Sequence, residues 1–315
     1  MTKFHLTLKA VVLSAILLSV SALAQAQATR TWVAPVPTGD DANPCSHSAP
    51  CATFAGAISK TREGGEIDVL EPGAYGTVTI TKAITIDGGT GAGWASILAN
   101  GGFDGVTVNV TSGTHVDNAV VILRNLTITG AKQAGMGGHT GINIVKALEV
   151  HVENVSIQHF TNSGINVAAA DTVSLWVQDV NFARDDTAIR TTTTSGFVSL
   201  YVNHVHVEGN TNGIHVLANT FATVRDSFFS GTSGGTNGAV TANSGCTISV
   251  ENSMFANNVI AVNSQSGGTV RISNNCFYNN TTALSGTGTI ATATGTNKFA
   301  GNATDGTTNA VIAVQ

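Results

Sequence analysis

The 315-residue sequence predicts an all-β chain folded as a right-handed parallel β-helix of about ten coils, and three observations carry that expectation. First, a small residue followed by alternating apolar and polar positions recurs at Gly141, Gly164, Ala188, Gly213, Gly238, Ala261 and Ala283, every 22 to 25 residues. Second, another block keeps constant phase with the first. Its copies are VHVENVSI (150–157), LWVQDVNF (175–182), LYVNHVHV (200–207), ATVRDSFF (222–229), ISVENSMF (248–255) and VRISNNCF (270–277). Third, only 10% of residues are charged, and 35 glycines punctuate a chain rich in Thr, Ser and Asn, which suits short strands joined by tight turns.

Strands of period two in so short a repeat bury a face only when successive repeats stack. A helical solenoid would show a 3.6-residue period, and a leucine-rich repeat would show a leucine scaffold. Neither is present. Stacked coils advance by one inter-strand spacing, ~4.8 Å, so aligned positions become columns. Val152, Val177, Val202, Val224, Val250 and Ile272 form one inward column. Ile157, Phe182, Val207, Phe229, Phe255 and Phe277 form another. Each fully buried member contributes roughly 1.5–3 kcal/mol. Between them runs a polar ladder, Asn154, Asp179, His204, Asp226, Asn252 and Asn274, placed at a tight turn where an amide or carboxyl bonds nearby backbone. That ladder reads as structural, His204 included.

At the N-terminus, Lys3 and Lys9 flank a short basic segment, and Ala10–Val20 is apolar but too short to span a bilayer. Small residues follow at A-x-A spacing from Ala22 to Ala28. This is the anatomy of a signal peptide over residues 1–24, with cleavage as late as 28, and implies secretion, extracellular or periplasmic. Cys45 and Cys51 lie in a Pro-flanked loop where a small ring can close, and an oxidising compartment favours that disulfide. Cys246 and Cys276 occupy different coil positions and are expected to stay unpaired. A formal charge of −5 without basic runs argues against nucleic acid, and no later segment is apolar enough for membrane insertion.

The repeat, the polar ladder and the Phe column resemble the pectin lyase-like superfamily. So do Thr31-Trp32-Val33, Gly39-Asp40-Asp41, Ala49-Pro50-Cys51-Ala52-Thr53-Phe54 and Glu71-Pro72-Gly73-Ala74-Tyr75. The resemblance implies that residues 25–65 form a strand, the disulfide loop and a short capping helix at Ala55–Lys60, and that 66–315 form the β-helix. It covers lyases, hydrolases, epimerases and non-enzymatic surface proteins, so it implies a fold and leaves the activity open.

Two outward rows carry candidate chemistry. On one, Arg190 and His215 follow Asn143 and Asn166, with Asp185 and Asp186 at the preceding turn. Carboxylates beside a cation and an imidazole suit acid/base catalysis. Asp185-Asp186-Thr187-Ala188-Ile189 also resembles the paired-aspartate coil of polygalacturonase-type hydrolases. Ser163 stands where that family has a further Asp, however, and Asn212-Gly213 where it has His-Gly. A pectate-lyase-type enzyme would hold Ca²⁺ through several carboxylates and abstract a proton with Arg or Lys; no other cofactor or metal is expected. The second row is His151, Trp176, Tyr201, Thr223, Ser249 and Arg271, whose exposed aromatics suggest a flat glycan platform with Glu153, Gln178, Asn203 and Arg225 beside it. The expected protein is an exported monomer that binds or acts on polysaccharide. The competing readings are a non-enzymatic surface or adhesin-like solenoid and a polysaccharide lyase.

Overall fold

The computed structural model describes residues 27–89, 95–113, 119–131, 136–193 and 195–312, so the expected signal peptide lies outside the described residues. Each coil runs through three strands in turn. Residues Glu149–Glu153 belong to the first sheet, Ser156–Gln158 to the second and Phe160–Val167 to the third; Val173–Gln178 then returns to the first. Among the described residues the three sheets contain 12, 10 and 9 strands, which pair in parallel with their counterparts in neighbouring coils. This is the parallel β-helix the repeat implies. It completes about nine turns, because no strand of the third sheet follows Lys298–Ala300 among the described residues.

The aligned columns form as expected. Val152 pairs with Val177, and the register continues through Val202, Val224 and Val250 to Ile272, each at most 2% exposed. In the second sheet Ile157, Phe182, Val207, Phe229, Phe255 and Phe277 stack in the same way. Ring centroids of Phe229, Phe255, Phe277 and Phe299 lie 4.8–5.0 Å apart and nearly parallel.

The ladder from Asn154 to Asn274 has a backbone cause. Every member, and Asn125 before it, has φ between 49° and 59°. One left-handed residue makes the corner between the first and second sheets, and Asn, Asp and His tolerate that conformation better than most L-residues. Side-chain bonds then pair neighbours: Asn154 donates to Asn125 at 2.7 Å, His204 meets Asp179 at 2.6 Å, and Asn252 donates to Asp226. A second left-handed corner leads into the third sheet at His159, Arg184, Gly209, Gly231, Asn257 and Asn279.

The residue after each corner points inward, and towards the C-terminal end it is polar. Asn258 accepts from the Thr232 N–H at 3.0 Å, Asn280 from Asn258 at 3.0 Å and Asn302 from Asn280 at 2.9 Å. Their amides donate back to the carbonyls of Phe229, Phe255 and Phe277. These corner N–H groups have no strand partner, and an unpaired buried N–H is costly. Ser253, Asn275 and Asn297 do the same work at the first corner.

At the N-terminal end, Ala28–Val33 pairs in parallel with Thr61–Val69 as the outermost strand of the first sheet. The helix is shorter than expected, Phe54–Ile58, with Thr53 as N-cap accepting from the Gly56 N–H. Phe54 buries against Tyr75 at 5.1 Å. Cys45 and Cys51 form a disulfide, while Cys246 and Cys276 are free thiols. Among the described residues no helix is long and apolar enough to cross a membrane.

Two substitutions test the register. Val202→Asp would place an unpaired carboxylate in a dry interior and should leave no folded protein to purify. Phe255→Ala opens a gap in the ring stack and should cost ~3–5 kcal/mol in denaturant unfolding. A Val202→Asp variant melting within a few degrees of wild type would show that the column does not face inward.

Candidate functional site

The outer face of the third sheet carries the row Asn143, Asn166, Arg190, His215 in hydrogen-bonded register. His215 is 9% exposed and its Nε2 meets the Asn243 Oδ1 at 3.1 Å. Burial holds its pKa below the ordinary imidazole value, with Arg190 adding to that, so the ring is neutral at pH 7. Arg190 donates to the Asn162 Oδ1 at 3.1 Å. Asp186 is half-buried at the turn before Arg190, where the Thr187 hydroxyl donates to it at 3.2 Å. These three groups share one patch.

Asp185 does not join them, which corrects the expected catalytic set. It is 2% exposed and follows the left-handed Arg184, the place in the coil that Asn258, Asn280 and Asn302 occupy in theirs. Its Oδ1 accepts from the Phe160 N–H at 2.9 Å, and its Oδ2 is buried without a partner. The single-residue corner at Arg184 turns Asp185 inward while Asp186 turns outward. A paired-aspartate acid/base mechanism therefore lacks one of its carboxylates.

The outer face of the first sheet brings His151, Trp176 and Tyr201 together as expected. Trp176 is 41% exposed and Tyr201 39%. Their rings stack at 4.0 Å and 16°, and His151 lies parallel to Trp176 at 5.9 Å. That geometry corrects the idea of a flat platform. Nearly parallel rings 4.0 Å apart must overlap face to face, so the stack turns its edges to solvent. Glu153, Gln178, Asn203 and Arg225 form the adjacent outward row, and with the aromatics they line a groove of about 620 Å³. Glu149 accepts from His151 at 2.6 Å on the other side.

The same two rows continue towards the N-terminus into a feature that the repeat count did not reveal. Oxygens of Glu66, Asp68 and Asp87 lie within 4.8 Å of one another. The chemistry of the set fits an ion-pair network better than a cation. Asp87 accepts from Arg124 at 2.6 Å, from Asn125 at 2.8 Å and from the Gly89 N–H at 2.7 Å, while Asp68 binds Arg30. Arg124 also reaches Glu66 at 3.0 Å. The guanidinium groups of Arg30 and Arg124 thus already pair with all three carboxylates. The signal was present in Glu66-Ile67-Asp68 and Thr85-Ile86-Asp87, which share the alternation and pair in register.

No family model matches the chain, and no curated protein does. Among solved structures, a lacto-N-biosidase of family GH136 from Eubacterium ramulus superposes with a TM-score of 0.58 at 11% identity, covering 90% of this chain and 68% of that one. The shared fold is the parallel β-helix. Pectate lyase Pel9A (TM-score 0.43, 12% identity, 88% of this chain and 80% of that one) and a rhamnogalacturonan lyase (0.34, 13%, 84% and 74%) are more distant in shape. At such identities the β-helix likeness is architectural.

Burial pushes the Asp185 carboxyl up to about 8, against ~3.9 in an unfolded chain. The fold thus holds the neutral acid, and the stability linked to it is full below pH ~4 and declines as pH rises towards about 8. Asp185→Asn should melt higher than wild type by a margin that widens over this window. Thermal melts across the range check it, and parallel curves for the two proteins would exclude Asp185 as the titrating group.

Proposed function

We propose that this is an exported glycan-binding β-helix whose contact surface is the groove on the first sheet. The observation that supports the reading most is the exposed His151–Trp176–Tyr201 stack beside Glu153, Gln178, Asn203 and Arg225. Apolar ring surface next to a row of hydrogen-bonding side chains is what sugars require, since each sugar has C–H faces and hydroxyl edges. Export rests on the signal-like N-terminus and agrees with the Cys45–Cys51 disulfide. A β-helix of like architecture bearing the name lacto-N-biosidase is in keeping with a glycan ligand.

A catalytic reading has one observation in its favour, the shared patch of Asp186, Arg190 and the neutral His215 on the third sheet. There His215 or Arg190 would abstract a proton and Asp186 would orient the substrate. Incubation with pectin, polygalacturonate and alginate, with and without calcium, distinguishes the two. Growth of ultraviolet absorbance from unsaturated products supports a lyase, and its absence leaves binding alone.

The binding reading predicts that the double variant Trp176→Ala, Tyr201→Ala loses about tenfold or more of its retention on polysaccharide gels. Its melting temperature should stay within a few degrees of wild type, because both side chains face solvent. Retention equal to wild type would remove this groove from consideration.

A further inference from the structure

The aromatic column has an unfilled position, and its geometry says what fits there. Trp176 and Tyr201 cover each other's faces. The ring normals therefore point along the solenoid axis, the direction in which neighbouring strands are stacked. Every interior face of the column is used. Tyr201 is the last ring, and Thr223 follows it in register. A threonine is too small to cover a six-membered ring, so the outer face of Tyr201 is open above Thr223, where the groove continues between Asn203 and Arg225.

We propose that this opening is a seat for a single uncharged pyranose ring, which continues the column as a fourth ring. The inference rests on the glycan-binding reading and deepens it. Spacing supports it: one strand separation, ~4.8 Å, is the distance at which a saccharide's axial C–H face packs on an aromatic face. Orientation follows from the stack. A pyranose parallel to Tyr201 has its plane across the solenoid axis, and equatorial glycosidic bonds leaving opposite edges of the ring lie in that plane and run along the strand. The glycan chain thus crosses the solenoid at Thr223 instead of following its axis. On one side it meets Arg225. On the other it meets Phe221, which is 56% exposed and packs with Phe197 at 4.9 Å. An exposed apolar side chain beside the seat is thereby given a partner.

Charge selects the uncharged sugar. The guanidinium of Arg225 already faces Glu251 at 3.5 Å, and Glu149 and Glu153 flank the foot of the column. The two charges nearest the seat, Arg225 and Glu251, therefore offset each other, and Arg271 lies two coils further on, ~9.6 Å away, so a uronate finds no unpaired guanidinium beside it. The Arg225–Glu251 pair can instead donate to and accept from neutral hydroxyls.

Affinity electrophoresis of the full chain in gels containing galactan, glucomannan, xylan or polygalacturonate tests the seat. Wild type should be retarded by a neutral polysaccharide and not by polygalacturonate. Thr223→Trp would fill the seat with the protein's own ring and should weaken retardation about tenfold, with an unchanged melting temperature. Tyr201→Leu, which keeps the bulk but removes the aromatic face, should weaken it similarly. Ile122→Trp adds a ring beyond His151, at the opposite end of the row, and should leave retardation as in wild type. If Thr223→Trp binds as well as wild type or better, the sugar lies along the ring edges; the seat is then wrong while glycan binding stands. Retardation by polygalacturonate alone overturns the uncharged ligand in the same way. No retardation of wild type in any gel overturns both the seat and the glycan reading.

Discussion

Parallel pairing at ~4.8 Å sets each residue over its counterpart in the next coil, so a side chain's principal neighbour is the same position one repeat away. That constraint rewards groups that pack well against themselves. Valine and phenylalanine do so through apolar contact, as the Val152 and Phe229 columns show. Asparagine does so because its amide both donates and accepts, allowing Asn258, Asn280 and Asn302 to form a continuous line. A carboxylate stacks poorly on a carboxylate, and where acids occur the protein either alternates partners or, as at the in-register pair Asp68 and Asp87, sets guanidinium groups against them. His204 lies on Asp179, Asn252 on Asp226, and Arg124 is set against Asp87. Asp185 obeys the same rule by taking up a proton, becoming an imitation of the asparagine that the interior position calls for.

What could be read from the sequence followed the repeat. Wherever coils keep a 22- to 25-residue step, phase alone separates inward from outward residues, and the Val, Phe and aromatic columns came out in register. The ladder positions were equally visible, although their cause is the left-handed backbone more than the hydrogen bond. Asp185 was misplaced because a corner is a single residue. One left-handed φ at Arg184 reverses the inside-outside order, and counting along a strand cannot detect it. The orientation of the aromatic rings was hidden for another reason: alternation tells which face a side chain occupies but not how its ring is turned. The acidic trio escaped notice because residues 88–119 separate its pairing strands from the regular coils, which breaks the period on which the alignment depends.

Repetition also bears on where a ligand surface can arise. Inside the solenoid each position is held by its equivalents, and substitution is penalised from both sides. Outside, a row is free to change character from one coil to the next. The first-sheet row does so, passing from Glu66 through Ile122 to the aromatics, then to Thr223, Ser249 and Arg271. A distinctive surface is therefore a local break in an outer row, carried on an interior that keeps its register.

The asparagine bonds at the C-terminal end span the same interval repeatedly, 22 residues, at Ser253 to Asn275, Asn258 to Asn280, Asn275 to Asn297 and Asn280 to Asn302. Each of these coils offers its successor the contacts it received from its predecessor. Such a segment is a module with matching ends, so copying one coil's worth of gene would lengthen the rod without demanding a new packing solution. The solenoid's length is thus an evolvable quantity, adjustable in steps of a single strand spacing, and the spacing between its two ends can change while the groove around Trp176 is left as it is.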